Sequence, residues 1–303
     1  MTPLLSHADA QTILRKAFPT CNSTISSITE LPATFNSIFI LTLNTGSRYV
    51  LKVSPPPLTV RVLHNDINII SAEASLLTLL SSSSSPSSAL PTPTLHLHDA
   101  SCTLLPAPYL LLSHIPGFPS AQKSLEAVEE THRILSRQLP PASAQGFGRV
   151  VESDGGRTYA RWRECFGALL EAALRDGEDM ALLLPYAQIR AQTRRVDGAL
   201  DAITEPALVV IDFGANSMLT SPDGKRLEGV IDFERAIWGD IKFARFYREM
   251  EARGEERVRG LLYAVYHAVV RILETFYYAG DTEVEMEERR RLVVALKMLE
   301  AVA

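Results

Sequence analysis

Val209-Val210-Ile211-Asp212-Phe213-Gly214-Ala215-Asn216-Ser217-Met218-Leu219 and, a short step later, Gly229-Val230-Ile231-Asp232-Phe233-Glu234 decide how this chain is read. Each is an apolar, β-like run that delivers an aspartate at or near its end. Between them lies Ser221-Pro222-Asp223-Gly224-Lys225, where proline and Asp-Gly favour a turn. A short hairpin-like unit that brings two carboxylates together is expected. Phosphoryl transfer uses such a pair, one carboxylate orienting the attacking hydroxyl and the other holding magnesium on the phosphates.

Outward from this unit, the chain is long enough for two domains or one bilobal one, at 303 residues. Its 46% hydrophobic and 21% charged content is that of a globular protein able to bury a core. A net charge of −5 argues against a nucleic-acid platform, which is usually basic. Cys21, Cys102 and Cys165 are odd in number and lack metal-ligand spacing, which predicts free thiols in a reducing compartment. No signal peptide is evident at the start, and no apolar stretch approaches a bilayer-spanning length. A soluble, cytoplasmic protein is expected, with no nucleic-acid or membrane partner; oligomeric state is left open.

Residues 8–18 read as a short helix, and 22–30 as a connector or first strand. Residues 35–43 and 48–53 are strand-like and joined by Asn44-Thr45-Gly46, a hairpin. Pro55-Pro56-Pro57 stops the second strand. Residues 66–80 carry Ile67, Ile70, Ala74 and Leu77 at the spacing of one helix face. The nearly all-serine stretch 81–88 is expected to be an exposed, flexible loop. Residues 95–98 and 109–112 are further strands. The pattern then turns mainly helical, most clearly over 159–174, 261–276 and 283–299. A β-rich first third before a helical remainder predicts an α+β chain in two lobes, residues 1–115 and 116–303.

Lys52 sits in Tyr49-Val50-Leu51-Lys52-Val53, facing away from Leu51 and Val53. Glu73 follows inside the next helical segment. A strand lysine on nucleotide phosphates, held by a helix glutamate, is the kinase arrangement. Thr34-Phe35-Asn36-Ser37 lacks the glycines of a phosphate loop; its hydroxyl, amide and backbone groups either contact phosphates or form an ordinary polar turn. Leu110-Leu111-Leu112-Ser113-His114-Ile115-Pro116-Gly117 reads as a hinge, with backbone groups around Ser113 and Ile115 available to an adenine ring.

With these residues in place, the chain resembles the aminoglycoside phosphotransferase and choline kinase superfamily, the protein-kinase-like small-molecule kinases. Gly229-Val230-Ile231-Asp232-Phe233-Glu234-Arg235-Ala236-Ile237-Trp238-Gly239-Asp240 carries the resemblance most specifically. It implies a bilobal protein-kinase-like fold with a small antiparallel β-rich N-lobe and a larger helical C-lobe. It also implies ATP, magnesium and a small-molecule hydroxyl acceptor. By the same resemblance Asp232 binds magnesium, Asp212 orients the acceptor hydroxyl, and Lys52 meets the phosphates with Glu73 behind it.

The upstream motif departs from the family pattern of His-x-Asp followed, after four intervening residues, by Asn. Val210 stands at the histidine position and Ser217 at the asparagine position, with Asn216 one residue early. Ser217 or Asn216 is the second metal-ligand candidate. Ile211-Asp212-Phe213-Gly214 spells the metal-binding triplet of protein kinases, but no catalytic aspartate and asparagine precede it at kinase spacing. Asp240 is expected to cap the following segment, and Glu234 with Arg235 to form a local ion pair. The alternative to catalysis is a degenerate, pseudokinase-like member that binds nucleotide or partners with little or no transfer.

Overall fold

The β-rich part of the chain is built around one alternating pattern. In a computed structural model describing residues 5–33, 35–56, 61–82, 90–120, 124–150, 158–249, 254–278 and 280–302, helix α1 (His7–Ala17) leads into β1 (Ile25–Leu31), β2 (Ser37–Leu43) and β3 (Arg48–Val53). Helix α2 (Ile69–Ser82), β4 (Leu95–Asp99) and β5 (Tyr109–Ser113) follow. The five strands form one antiparallel sheet in the order β1-β2-β3-β5-β4.

Strand side chains alternate between faces. Phe39, Leu41, Leu51, Val53, Tyr109 and Leu111 therefore pack against Ile13 and Leu14 of α1 in one core. Val50, Leu110 and Leu112 point the other way, into the core that contains Ile70, Leu76 and Leu77 of α2. Lys52 shares that second face and is delivered towards α2.

Helix α2 begins later than its apolar period predicts. Asn68 takes a left-handed φ of 62°, which asparagine tolerates better than most residues, and the helix starts only beyond it. Ile70, Ala74 and Leu77 are buried as expected, whereas Ile67 falls outside the helix and is 44% exposed. Asp66 ends a short 3-10 turn, His64–Asp66. Ser81 and Ser82 belong to α2; the rest of the serine-rich stretch lies outside the described residues, as does Thr34.

Strand β6 (Phe118–Pro119) and helix α3 (Leu125–Gln138) open the helical part, followed by β7 (Gly148–Arg149), α4 (Trp162–Asp179) and α5 (Tyr186–Val196). Strands β8 (Ala207–Val210), β9 (Met218–Thr220), β10 (Leu227–Val230) and β11 (Ala236–Gly239) precede α6 (Gly254–Tyr277) and α7 (Thr282–Glu300). They make two small antiparallel sheets, β10-β9-β6 and β7-β11-β8. The expected hairpin is β9–β10, its turn closed by Ser221 N donating to Arg226 O at 2.9 Å.

Around these sheets Trp162, Phe166, Phe243, Tyr263 and Tyr266 interlock with ring centroids 4.9 to 6.3 Å apart, spacings typical of favourable edge-to-face contacts. Gly239 makes this packing feasible: a Cβ there would meet Trp162 Cζ3 at 2.7 Å. Among the described residues no helix is long and apolar enough to cross a membrane, and Cys21, Cys102 and Cys165 are free.

Candidate active site

Lys52 reaches Glu73 from the sheet face described above, its Nζ donating to both carboxylate oxygens at 2.9 and 3.0 Å. Both partners are buried. The same ammonium lies 3.0 Å from Glu234 Oε1 and 3.5 Å from Asp232 Oδ1. Burial opposes the lysine charge, but Glu234, Glu73 and Asp232 together hold its pKa well above the ordinary value. Glu234 responds in the opposite sense. Its burial, with Asp232 and Glu73 nearby, pushes the carboxyl up to about 7 despite Lys52.

Asp232 follows β10 at a left-handed φ of 71°, a strained conformation for a residue with a Cβ and one that clusters at functional sites. Neighbouring contacts impose it. Ile231 N donates to Ser217 O at 2.9 Å, and Phe233 N donates to Glu73 Oε1 at 3.3 Å. The Asp232 side chain is 55% exposed, so its carboxylate is open to a ligand.

The hinge packs directly on the strand that leads here. A Cβ on Gly229 would meet Ile115 Cδ1 at 2.7 Å, and Val230 N donates to Pro91 O at 2.8 Å. Ser113 Oγ accepts from Thr94 N at 2.8 Å. Asn36 is buried just before β2, and its side-chain amide has no hydrogen-bond partner among the described residues. Ser37 begins β2 opposite Val53, one register step from Lys52.

Asp212 lies in a different setting, at the turn after β8. Arg235 Nη1 donates to Asp212 Oδ2, and Arg245 Nη2 sits 2.9 Å from Oδ1. Burial would raise this carboxyl, but Arg245 and Arg235 hold it well below the usual carboxylate range. Arg235 also donates to Asp66, from Nε at 2.8 Å and Nη2 at 2.7 Å, and to Glu274. Glu274 is joined by Arg271 at 3.0 Å.

Asp212 and Asp232 thus belong to adjacent but separate ion clusters, with Glu234 in one and Arg235 in the other. The expected local pair between Glu234 and Arg235 does not form: Glu234 binds Lys52, and Arg235 binds Asp66, Asp212 and Glu274.

Val210, at the family's histidine position, donates its backbone N–H to His132 Nε2 at 3.1 Å; burial lowers His132 to about 3, which keeps this nitrogen an acceptor. Ser217 is buried, and Asn216 is exposed on the turn before it. Asp240 caps the next turn as expected, accepting from Lys242 N at 3.0 Å, and also accepts from Tyr263 OH at 2.7 Å.

A cavity of 870 Å³ opens between α6, α7 and the segment after Asp240, walled in part by Lys242, Tyr247, Arg259, His267 and Met298. Neither Asp212 nor Asp232 lines it. Sequence reasoning missed Arg245, Asp66 and Glu274 and placed Arg235 only beside Glu234. Their signal was a charge inside an apolar run: Phe243-Ala244-Arg245-Phe246 and Ile272-Leu273-Glu274.

A family model described as a phosphotransferase enzyme family matches residues 27–243. No curated protein sequence matches the chain. Among solved structures, a thermostable mutant of the aminoglycoside phosphotransferase APH(4)-Ia in its apo form is 16% identical, with a TM-score of 0.66 over 97% of this chain and 100% of that one. Its ternary complex with AMP-PNP and hygromycin B has a TM-score of 0.65 at 16% identity, over the same shares of the two chains. Choline kinase LicA from Streptococcus pneumoniae is 14% identical, with a TM-score of 0.60 over 97% of this chain and 100% of that one. At these identities the solved structures show a shared α+β fold, with its antiparallel β-rich sheet and helical remainder. On the family match, which spans well over half its length, the chain belongs to the phosphotransferase enzyme family.

Proposed function

We propose that this protein is an ATP- and magnesium-dependent phosphotransferase acting on a hydroxyl of a small molecule, with residues 1–115 as the nucleotide lobe and 116–303 as the catalytic helical lobe. The observation that carries the reading is the Lys52–Glu73 pair with Asp232 Oδ1 3.5 Å from the lysine. Two further features fit a nucleotide and its metal. The buried amide of Asn36 has no partner among the described residues, and phosphate oxygens accept from amides. Lys52 also meets three carboxylates, a surplus of negative charge that a divalent cation offsets.

In this reading Glu73 fixes the direction of Lys52, which binds phosphate oxygens. Asp232 holds magnesium, with Ser217, whose backbone oxygen accepts from Ile231 N, or Asn216 before it for a second contact. Bound magnesium supplies charge neutralisation on the phosphates. Ser113 and Ile115 offer backbone groups to the base, and Asn36 and Ser37 cover the phosphates, with Thr34 beside them in sequence. Asp212, kept ionised by its arginines, orients the acceptor hydroxyl. Positioning supplies most of the acceleration. The structural likeness to an aminoglycoside phosphotransferase and a choline kinase favours a small-molecule acceptor, and free cysteines suit the cytoplasm.

Calorimetric titration of ATP with and without magnesium tests the proposal, using wild type and Asp232→Ala. Magnesium-dependent binding lost in the variant is expected. Absence of binding in wild type sinks the reading. Binding without transfer to any acceptor replaces it with the binding-only alternative.

A further inference from the structure

Residues 61–68 connect the five-stranded sheet to α2 by running along the helical part of the molecule. They are fastened there at several points. Leu63 N donates to Tyr278 OH at 3.2 Å, and His64 N to Asp176 Oδ2 at 2.9 Å. Asn65 Nδ2 donates to Leu169 O at 3.1 Å, and Arg149 Nη2 to His64 O at 3.2 Å. At the end of this track Asp66 is buried. It accepts from Arg235 through two nitrogens and from Tyr278 OH at 2.6 Å.

We propose that Asp66 is a positioning residue for Asp212, acting through Arg235. The inference rests on Asp212 as the carboxylate that orients the acceptor. A guanidinium offers its donors in a rigid planar fork. Asp66 occupies the Nε–Nη2 edge of that fork, which sets the plane of Arg235 and aims Nη1 at Asp212 and Glu274. Without Asp66 nothing described holds that edge, and Arg235 can swing on its flexible stem.

The second consequence is coupling. Asp66 and Glu73 lie on one short stretch of chain, with α2 starting between them. The same element therefore steadies Lys52 on the nucleotide side and, through Arg235, Asp212 on the acceptor side.

The test combines hydrogen exchange on the nucleotide-free protein with ADP release from magnesium-ATP, water standing in for the acceptor. Asp66→Asn keeps the side-chain volume and one acceptor oxygen while removing the charge. Amide exchange over 211–217 is expected to accelerate roughly 10-fold in Asp66→Asn. Arg61→Ala, which removes contacts at the outer end of the same track with Asp179, Met180 and the Tyr277 ring but none with Asp66 or Arg235, leaves it unchanged. Turnover should fall about 100-fold with the KM for ATP held within about 2-fold, as misplacement of a catalytic group predicts. Tyr278→Phe, which removes one hydroxyl from Asp66, should shift exchange in the same direction by less and serves if Asp66→Asn does not fold.

Unchanged exchange over 211–217 in both Asp66→Asn and Tyr278→Phe overturns the proposal. So does loosening spread equally through α4, the mark of a merely structural residue. If wild type binds no ATP, the phosphotransferase reading fails while the exchange measurement still decides this one.

Discussion

Asp232 and Asp212 leave similar apolar strands, yet one shares a lysine with two other carboxylates and the other is wedged between two arginines. Around Lys52 one positive charge faces Glu73, Asp232 and Glu234, a net of −2 when all are ionised. Around Arg235, the three arginines Arg235, Arg245 and Arg271 face the three carboxylates Asp66, Asp212 and Glu274, which cancel. The first region keeps an excess of negative charge, which the proposed magnesium would offset. The second is complete in itself and works as a scaffold that fixes one carboxylate. Two motifs alike in sequence thus serve opposite ends.

The comparison can be broken most directly by removing the central cation of each cluster. Lys52→Met leaves buried Glu73 and partly buried Glu234 without a counter-charge and should cost about 3–5 kcal/mol. Arg235→Met should fall at the low end of that range, about 3 kcal/mol, because Arg245 and Arg271 still reach Asp212 and Glu274, although Asp66 is left with the Tyr278 hydroxyl in place of a cation. Urea unfolding measures both. A larger loss for Arg235→Met would mean that the second cluster is not self-sufficient.

Magnesium sharpens the same contrast. At ten times its dissociation constant the ion should stabilise wild type by roughly 1.4 kcal/mol. Asp232→Ala should erase that gain, while Glu274→Gln should leave it intact. Thermal melts with and without magnesium decide it, and an equal gain in Asp232→Ala would move the metal elsewhere.

The two clusters should also respond to pH with opposite sign. Glu234 has its folded pKa at about 7, above the ordinary 4.5. The folded state therefore holds that proton more tightly. Its contribution is complete below the ordinary value and is lost as pH rises to about 7. Burial works against ionised Glu274, but Arg235 and Arg245 hold its pKa below the ordinary value. Its contribution is present above the ordinary carboxylate range and is lost as pH falls through that range. Melting temperatures of wild type minus Glu234→Gln should decline with rising pH, and those of wild type minus Glu274→Gln with falling pH. Parallel slopes would remove the distinction.

The smallest effect expected is that of Ser217→Asn, which restores the family's residue beside the strand carrying Asp232. Magnesium-dependent ADP release should rise roughly 10-fold or less. No change in a folded variant would mean that Ser217 does not limit the metal.

Much of this was legible in advance because it is local. Alternation along Tyr49-Val50-Leu51-Lys52-Val53 already placed Lys52 on one face, and Pro222 with Asp223-Gly224 marked the β9–β10 turn. Two failures have equally plain causes. The apolar period ran on through Ile67, but Asn68 turned the chain before the helix could start. Glu234 and Arg235 are neighbours, but they are the two central residues of the turn that Ala236 N closes onto Phe233 O at 3.2 Å, and each found its partner elsewhere.

Residue order and spacing were therefore enough for the α+β architecture, the family resemblance and the candidates Lys52, Glu73, Asp212 and Asp232. Only the folded chain chose their neighbours. Asp66 meets Arg235 from 169 residues away, and Lys52 meets Glu234 from 182. Pairing over such separations leaves no periodic trace, because burial selects which charges must neutralise one another and only the packed chain sets what is buried.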